Sequence, residues 1–159
     1  MSSSTQPILV VEDSIEDYEA LVRTFMKARL ANRIIHCSDG DQALEFLHRR
    51  ASYDQPDQLT LPGVILLDLN LPGTDGREVL AEVKRDKDLK DIPIIILTSC
   101  MNDQDMRSFS QYGGVGYMVK PIQFEAYIKA LQKMKEYCFE IAIQPNGVMA
   151  AVDGSPIPS

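Results

Sequence analysis

The sequence predicts an α/β protein: a doubly wound, five-stranded parallel sheet with helices on both faces. Short, nearly continuous apolar runs alternate with segments whose apolar residues fall at helical spacing. Alternation of that kind builds parallel sheets from βαβ units, and right-handed crossovers then leave doubly wound topologies. A third observation supports the same reading. Acidic, hydroxyl and ammonium side chains follow the apolar runs, at the strand ends where such sheets gather their chemistry.

The first strand is Ile8-Leu9-Val10-Val11, and continuous rather than alternating apolarity predicts burial on both faces. Ile15, Tyr18, Val22 and Phe25 recur at helical spacing, and Ser14 with Asp17 resembles a capping box. Arg33-Ile34-Ile35-His36-Cys37 is a second strand, less apolar and so nearer a sheet edge. A helix over 40–50 follows Asp39 as N-cap, then a polar connection over 51–62 with Pro56 and Pro62, longer than most such links. The third strand is Val64-Ile65-Leu66-Leu67, and Asp75-Gly76 forms a turn opening a helix over 75–86. Ile94-Ile95-Ile96-Leu97 is the fourth strand. A helix over 103–112 begins after Asn102 and stops at Gly113-Gly114. The weaker fifth strand is Val115-Gly116-Tyr117-Met118-Val119, and a stripe of Phe124, Tyr127, Ile128, Leu131, Met134 and Cys138 marks the last helix.

This divides the chain into a tail over 1–6, one domain over 7–138 and an extension over 139–159. Ile141 and Ile143 leave room for a homodimer arm, and the Gly/Ser/Pro-rich end reads as a disordered tail.

Composition narrows the function classes. The chain has 159 residues, 45% hydrophobic and 25% charged, with a net charge of −7. It is long enough to bury a core without disulfide or metal staples, and its acidity argues against nucleic acid and anionic membrane as partners. No apolar run reaches the roughly 20 residues of a membrane span. Residues 1–6 lack the basic and apolar regions of a signal peptide. Cys37, Cys100 and Cys138 are scattered, without a C-x-x-C pair, which fits a reducing cytoplasm rather than a disulfide framework or a zinc site.

The strand ends carry the chemistry. The first strand ends in Glu12-Asp13, the third in Asp68, the fourth in Thr98 and the fifth in Lys120-Pro121. Three carboxylates sharing one cleft need compensation. Hard oxygen ligands with open positions suit Mg²⁺, and one divalent cation with one ammonium balances them. Such a site is poised to accept a phosphoryl group, with a carboxylate as nucleophile and the cation and lysine neutralising the transferring oxygens.

These residues, in this order, resemble the receiver domain of two-component response regulators. The resemblance runs from about residue 7 to 138, through Val10-Val11-Glu12-Asp13, Asp68-Leu69-Asn70-Leu71-Pro72 with Gly76, Ile94 to Ser99, and Gly116-Tyr117-Met118-Val119-Lys120-Pro121. It implies a flavodoxin-like strand order 2-1-3-4-5. It also implies that Asp68 is the phosphoacceptor, while Glu12, Asp13, Asp68 and the Asn70 carbonyl hold Mg²⁺. Lys120 would pair with the phosphorylated aspartate, next to a cis bond to Pro121. Thr98 and Tyr117 would be the switch residues, Thr98 moving toward the phosphoryl group and Tyr117 filling the vacated space. Cys100 would stand where family side chains influence water access to the acyl phosphate. Each residue alone has a plainer reading, since an Asp at a strand end is usually a cap or turn residue; the roles stand as a set.

The acidic chain and the short remainder after the last helix argue against a DNA-binding output, so the expected output is protein contact or onward phosphotransfer. The long 51–62 connection, the stretch Leu67 to Leu80 and the apolar start of the extension resemble single-domain regulators that partner bacterial phytochrome histidine kinases. The expected partners are thus a sensor histidine kinase and an unidentified downstream protein. Rival readings are a haloacid-dehalogenase-type phosphatase, a flavodoxin-like FMN carrier and a receiver-like scaffold that is never phosphorylated. The phosphatase needs an acid two residues after its nucleophile, where this chain has Asn70. The FMN carrier needs a phosphate-cradling loop where this chain has Glu12-Asp13. His36 and His48 lack ligand spacing and read as surface or packing residues.

Overall fold

A computed structural model describes residues 6–51, 61–99 and 102–120, with 123, 125, 126 and 129. The elements run β1 (Ile8–Val11), α1 (Ile15–Lys27), β2 (Ile34–Cys37), α2 (Gly40–Ala51), β3 (Val64–Asp68), α3 (Gly76–Arg85), β4 (Ile94–Thr98), α4 (Asp103–Phe109) and β5 (Val115–Val119). Most of the expected final helix, the 139–159 extension, most of the 51–62 connection, Cys100 and the Pro121 bond lie outside the described residues.

The sheet is parallel and five-stranded in the order β2-β1-β3-β4-β5. Central position matches apolarity. Every residue of β1, β3 and β4 is buried, whereas β2 and β5, the two edges, are partly open. Side-chain alternation splits the core in two. Ile8, Val10, Leu66 and Leu97 pack with Leu21 and Phe25 of α1, while Leu9, Val11, Leu67 and Ile96 pack with residues of α2, α3 and α4. A fully buried side chain such as Phe25 or Leu47 contributes about 1.5–3 kcal/mol by leaving water.

Helix ends follow local chemistry. Asp75 and Glu78 form a complete capping box on α3, and Asn102 accepts the Asp105 N–H on α4. Two expectations need correction. The α4 helix ends at Phe109, not near 112. The Ser110 hydroxyl and the Gln111 amide donate to the Arg107 and Ser108 carbonyls, which a further turn would have used, and Gly114 turns the chain at φ +73°. The Ser14–Asp17 box is only half formed: Ser14 Oγ accepts from the Asp17 N–H, but the Ser14 N–H donates to Glu12 Oε2 at 3.1 Å. A third feature gave no sequence signal. Helix α1 closes through Arg29 at φ +60°, with Arg29 N–H donating to the Met26 carbonyl and Leu30 N–H to that of Phe25, the Schellman pattern normally built on glycine.

Candidate functional site

Register brings the site together. Val11 pairs with Leu67, so Glu12 and Asp68 stand side by side at the carboxyl edge of neighbouring central strands. Thr98 pairs with Val119, and the next N–H, that of Lys120, donates to the Thr98 carbonyl at 2.8 Å. Four strand ends thus deliver the acids, the hydroxyl and the ammonium to one edge.

One oxygen each of Glu12, Asp13 and Asp68 lies within 4.8 Å of the others; Glu12 and Asp68 are buried and Asp13 is exposed. The Lys120 Nζ donates to Glu12 Oε1 at 2.8 Å, Asp17 Oδ2 at 2.9 Å and Asp68 Oδ2 at 3.3 Å. The other Asp68 oxygen accepts the Asn70 N–H at 3.2 Å, so Asn70 reaches the aspartate through its backbone. Thr98 is buried at the end of β4, and Tyr117, paired with Ile96 on β5, is 42% exposed.

The electrostatics show a surplus of negative charge. Burial, then the hydrogen bond with Asp68, push the Glu12 carboxyl up to about 7, against the pull of Lys120. Burial works against the Lys120 ammonium, but its bonds to Glu12 and Asp17 and the charges of Asp68 and Glu12 outweigh it and raise its pKa. A set of three convergent carboxylates with this surplus fits a hard, oxygen-seeking divalent cation such as Mg²⁺. A buried carboxylate between a cation position and an ammonium can attack a phosphorus centre while both neutralise the oxygens in transfer.

The sequence-predicted set of Glu12, Asp13, Asp68 and Lys120 is therefore brought together, with Thr98 adjoining through the Lys120 backbone. Asp17 was missed because its place three residues after Ser14, in the first turn of α1, reads as half of a capping box. His36, expected as a surface or packing residue, does pack, its ring stacking on Tyr18 at 3.8 Å, and its Nε2 also donates to the Glu12 carbonyl at 2.8 Å. Gly76 proves more than a turn residue. A side chain there would fall on the Asp68 carbonyl and lie 2.7 Å from Leu69 Cα, so only glycine lets α3 start against the loop that carries Asp68.

Among protein families, the response regulator receiver domain matches residues 8–132 of this chain. Response regulator Rcp1 of Synechocystis sp. is 34% identical over 148 residues, covering 91% of this chain and 99% of that protein. The structure of the bacteriophytochrome response regulator AtBRR superposes with a TM-score of 0.75 at 34% identity, covering 91% of this chain and all of that one. The Mn²⁺-bound form of Rcp1 gives a TM-score of 0.63 at 33% identity, over 88% of this chain and 99% of that one.

Proposed function

This chain belongs to the response regulator receiver family, and from that premise we propose that it accepts a phosphoryl group from a partner histidine kinase on Asp68. The observation that carries the assignment is the placement of Asp68: buried, sharing a 4.8 Å cluster with Glu12 and Asp13, and 3.3 Å from the Lys120 ammonium. Glu12, Asp13 and Asp68 would hold Mg²⁺, joined by the Asn70 carbonyl. When bound, the cation supplies positive charge for the transferring phosphoryl oxygens. That a manganese-bound form of the similar Rcp1 exists supports a divalent ion here.

The chain's own residues do the rest. The Asn70 N–H orients Asp68 through Oδ1. Lys120 neutralises the other oxygen and follows the negative charge when the phosphoryl group arrives. Thr98 then donates its hydroxyl to a phosphoryl oxygen, and Tyr117, now turned outward, folds into the space that Thr98 leaves. Charge at Asp68 is thereby read as a changed contact face beside β5. Acceptance is stoichiometric, with at most slow self-hydrolysis, and the protein works in the cytoplasm beside its kinase.

Similarity to the bacteriophytochrome response regulator AtBRR over nine-tenths of the chain favours a phytochrome-type kinase as donor. Homodimerisation through the 139–159 extension belongs to the same reading, tested by hydrodynamic mass with and without those residues. The phosphatase reading is disfavoured by Asn70 in the general-acid position and by a nucleophile on the third strand.

The decisive experiment is labelling by a phosphohistidine kinase and by a small acyl phosphate in the presence of Mg²⁺. Wild-type protein takes one phosphoryl group and Asp68→Asn takes none while keeping its fold; normal incorporation in that variant overturns the assignment. A profile across candidate kinases identifies the donor.

A further inference from the structure

Lys120 carries three N–H bonds and three carboxylates share them, the contact to Asp68 being the longest at 3.3 Å against 2.9 Å to Asp17 and 2.8 Å to Glu12. Asp17 differs in kind from the other two. It sits in the first turn of α1, half exposed, and is not one of the carboxylates whose oxygens converge as candidate metal ligands. A cation held by Glu12, Asp13 and Asp68 therefore leaves Asp17 committed to the lysine. Local geometry frees it for that contact. In a full capping box the acid would turn back to the Ser14 N–H, but Glu12 Oε2 already accepts that N–H at 3.1 Å.

We propose that Asp17 is a positioning residue that anchors Lys120 toward α1 and competes for its ammonium with the phosphorylated aspartate. The proposal rests on the reading of Asp68 as acceptor. In the unmodified protein the ammonium is divided among its carboxylates. An added phosphoryl group brings roughly one and a half to two negative charges, which draws the ammonium across to Asp68 and lengthens the bond to Asp17. With Asp17 counted, the cation-loaded site keeps one negative charge more than the three-carboxylate count allows. Asp17 thus opposes the incoming group twice, by holding the lysine and by its own charge. It sets how readily the site is phosphorylated and where Lys120 rests before that happens.

The test compares wild type, Asp17→Asn, Asp17→Glu, Lys120→Ala and the double variant Asp17→Asn/Lys120→Ala, labelled with a small acyl phosphate and Mg²⁺. The expected result for Asp17→Asn is labelling about two- to fivefold faster than wild type, the scale of a half-exposed ion pair. Asp17→Glu returns close to wild type, and in the Lys120→Ala background the gain falls below about half its size. A second readout needs no phosphorylation: the Lys120 Nζ resonance of the metal-free protein moves in Asp17→Asn, and in wild type it moves in the same direction on labelling. An Asp17→Asn protein labelled no faster than a labelled wild type, an undiminished gain without Lys120, or an unmoved lysine resonance overturns the proposal. Failure of wild type to take label at Asp68 instead overturns the acceptor reading, and the metal-free resonance still decides whether Asp17 holds the lysine.

Discussion

Arg77 grips Asp105 with two donors, Nε to Oδ1 at 3.0 Å and Nη2 to Oδ2 at 2.8 Å, and so ties the first turn of α3 to the first turn of α4. Those helices follow the loops that leave Asp68 and Thr98, so the pair braces the two segments on which the site depends.

Arg77→Ala strands a largely covered carboxylate without its bidentate partner. Because the guanidinium is 43% exposed, solvent screening limits the loss to about 1–2 kcal/mol. The hydrogen bond from Arg77 holds the Asp105 carboxyl below its ordinary 3.8. Its stabilising effect is present above pH 3.8 and fades as pH falls through the lower folded-state value. Urea midpoints of wild type and Arg77→Ala should differ at neutral pH and converge in acid. A constant gap would mean that the arginine acts by packing alone.

The Arg77–Asp105 pair also shows what sequence could not disclose. The strands were legible because burial on both faces leaves unbroken apolar runs, as in Val64 to Leu67. The site was legible because parallel topology sends every strand end to one edge, so Glu12, Asp68 and Lys120 could be placed together without coordinates. Arg77 and Asp105 lie 28 residues apart on two helices, a separation with no local periodicity. Asp17 was hidden for a different reason, since the spacing that makes a capping box also points an acid at Lys120. Arg29 was hidden because a left-handed helix cap is normally announced by glycine.

Gly76→Ala should be strongly destabilising. The added Cβ would meet the Asp68 carbonyl and Leu69 Cα, both backbone, so neither can swing aside as a side chain could. A loss of about 2–4 kcal/mol in chemical denaturation is expected, together with slower labelling, because relief requires the Asp68 loop to move. Retention of full stability would show that α3 can shift as a unit.

Arg29→Gly should do the reverse. Arg29 adopts a left-handed conformation at φ +60°, which costs a side-chain-bearing residue roughly 1–2 kcal/mol and glycine little. Part of that gain is offset by the greater freedom of glycine in the unfolded chain. The expected net gain is about 0.5–1 kcal/mol, read as a higher thermal midpoint. Alanine at the same position should bring none of it.

Glu12 predicts a pH dependence that a cation reverses. Its folded-state value near 7 lies above its ordinary 4.5, so between those limits the native protein keeps a proton that the unfolded chain has released. Stability from this group is present below pH 4.5 and lost as pH rises through 7. The metal-free protein should therefore lose this contribution between about pH 5 and about pH 8, and Glu12→Gln should lack that slope. Stabilisation by Mg²⁺ should grow over the same interval, because the ion competes with the proton for the same carboxylate. Magnesium stabilisation that is flat with pH would remove Glu12 from the ligand set.

Lys120→Ala separates acceptance of the phosphoryl group from its consequence. Removing a side chain that is only 16% exposed and touches Glu12, Asp17 and Asp68 leaves buried carboxylates facing one another, a loss of about 2–4 kcal/mol without metal. Saturating Mg²⁺ should recover part of it, since the cation takes over the neutralising charge. The proposed nucleophile and the candidate ligands remain, so some labelling should persist. The moving ammonium is gone, and with it the link from Asp68 through the β5 end, where the Lys120 N–H meets the Thr98 carbonyl. Phosphorylation of this variant should leave its affinity for partner protein unchanged, whereas in wild type it shifts. A wild-type-sized shift in the variant would mean that Thr98 and Tyr117 respond to the phosphoryl group without the lysine.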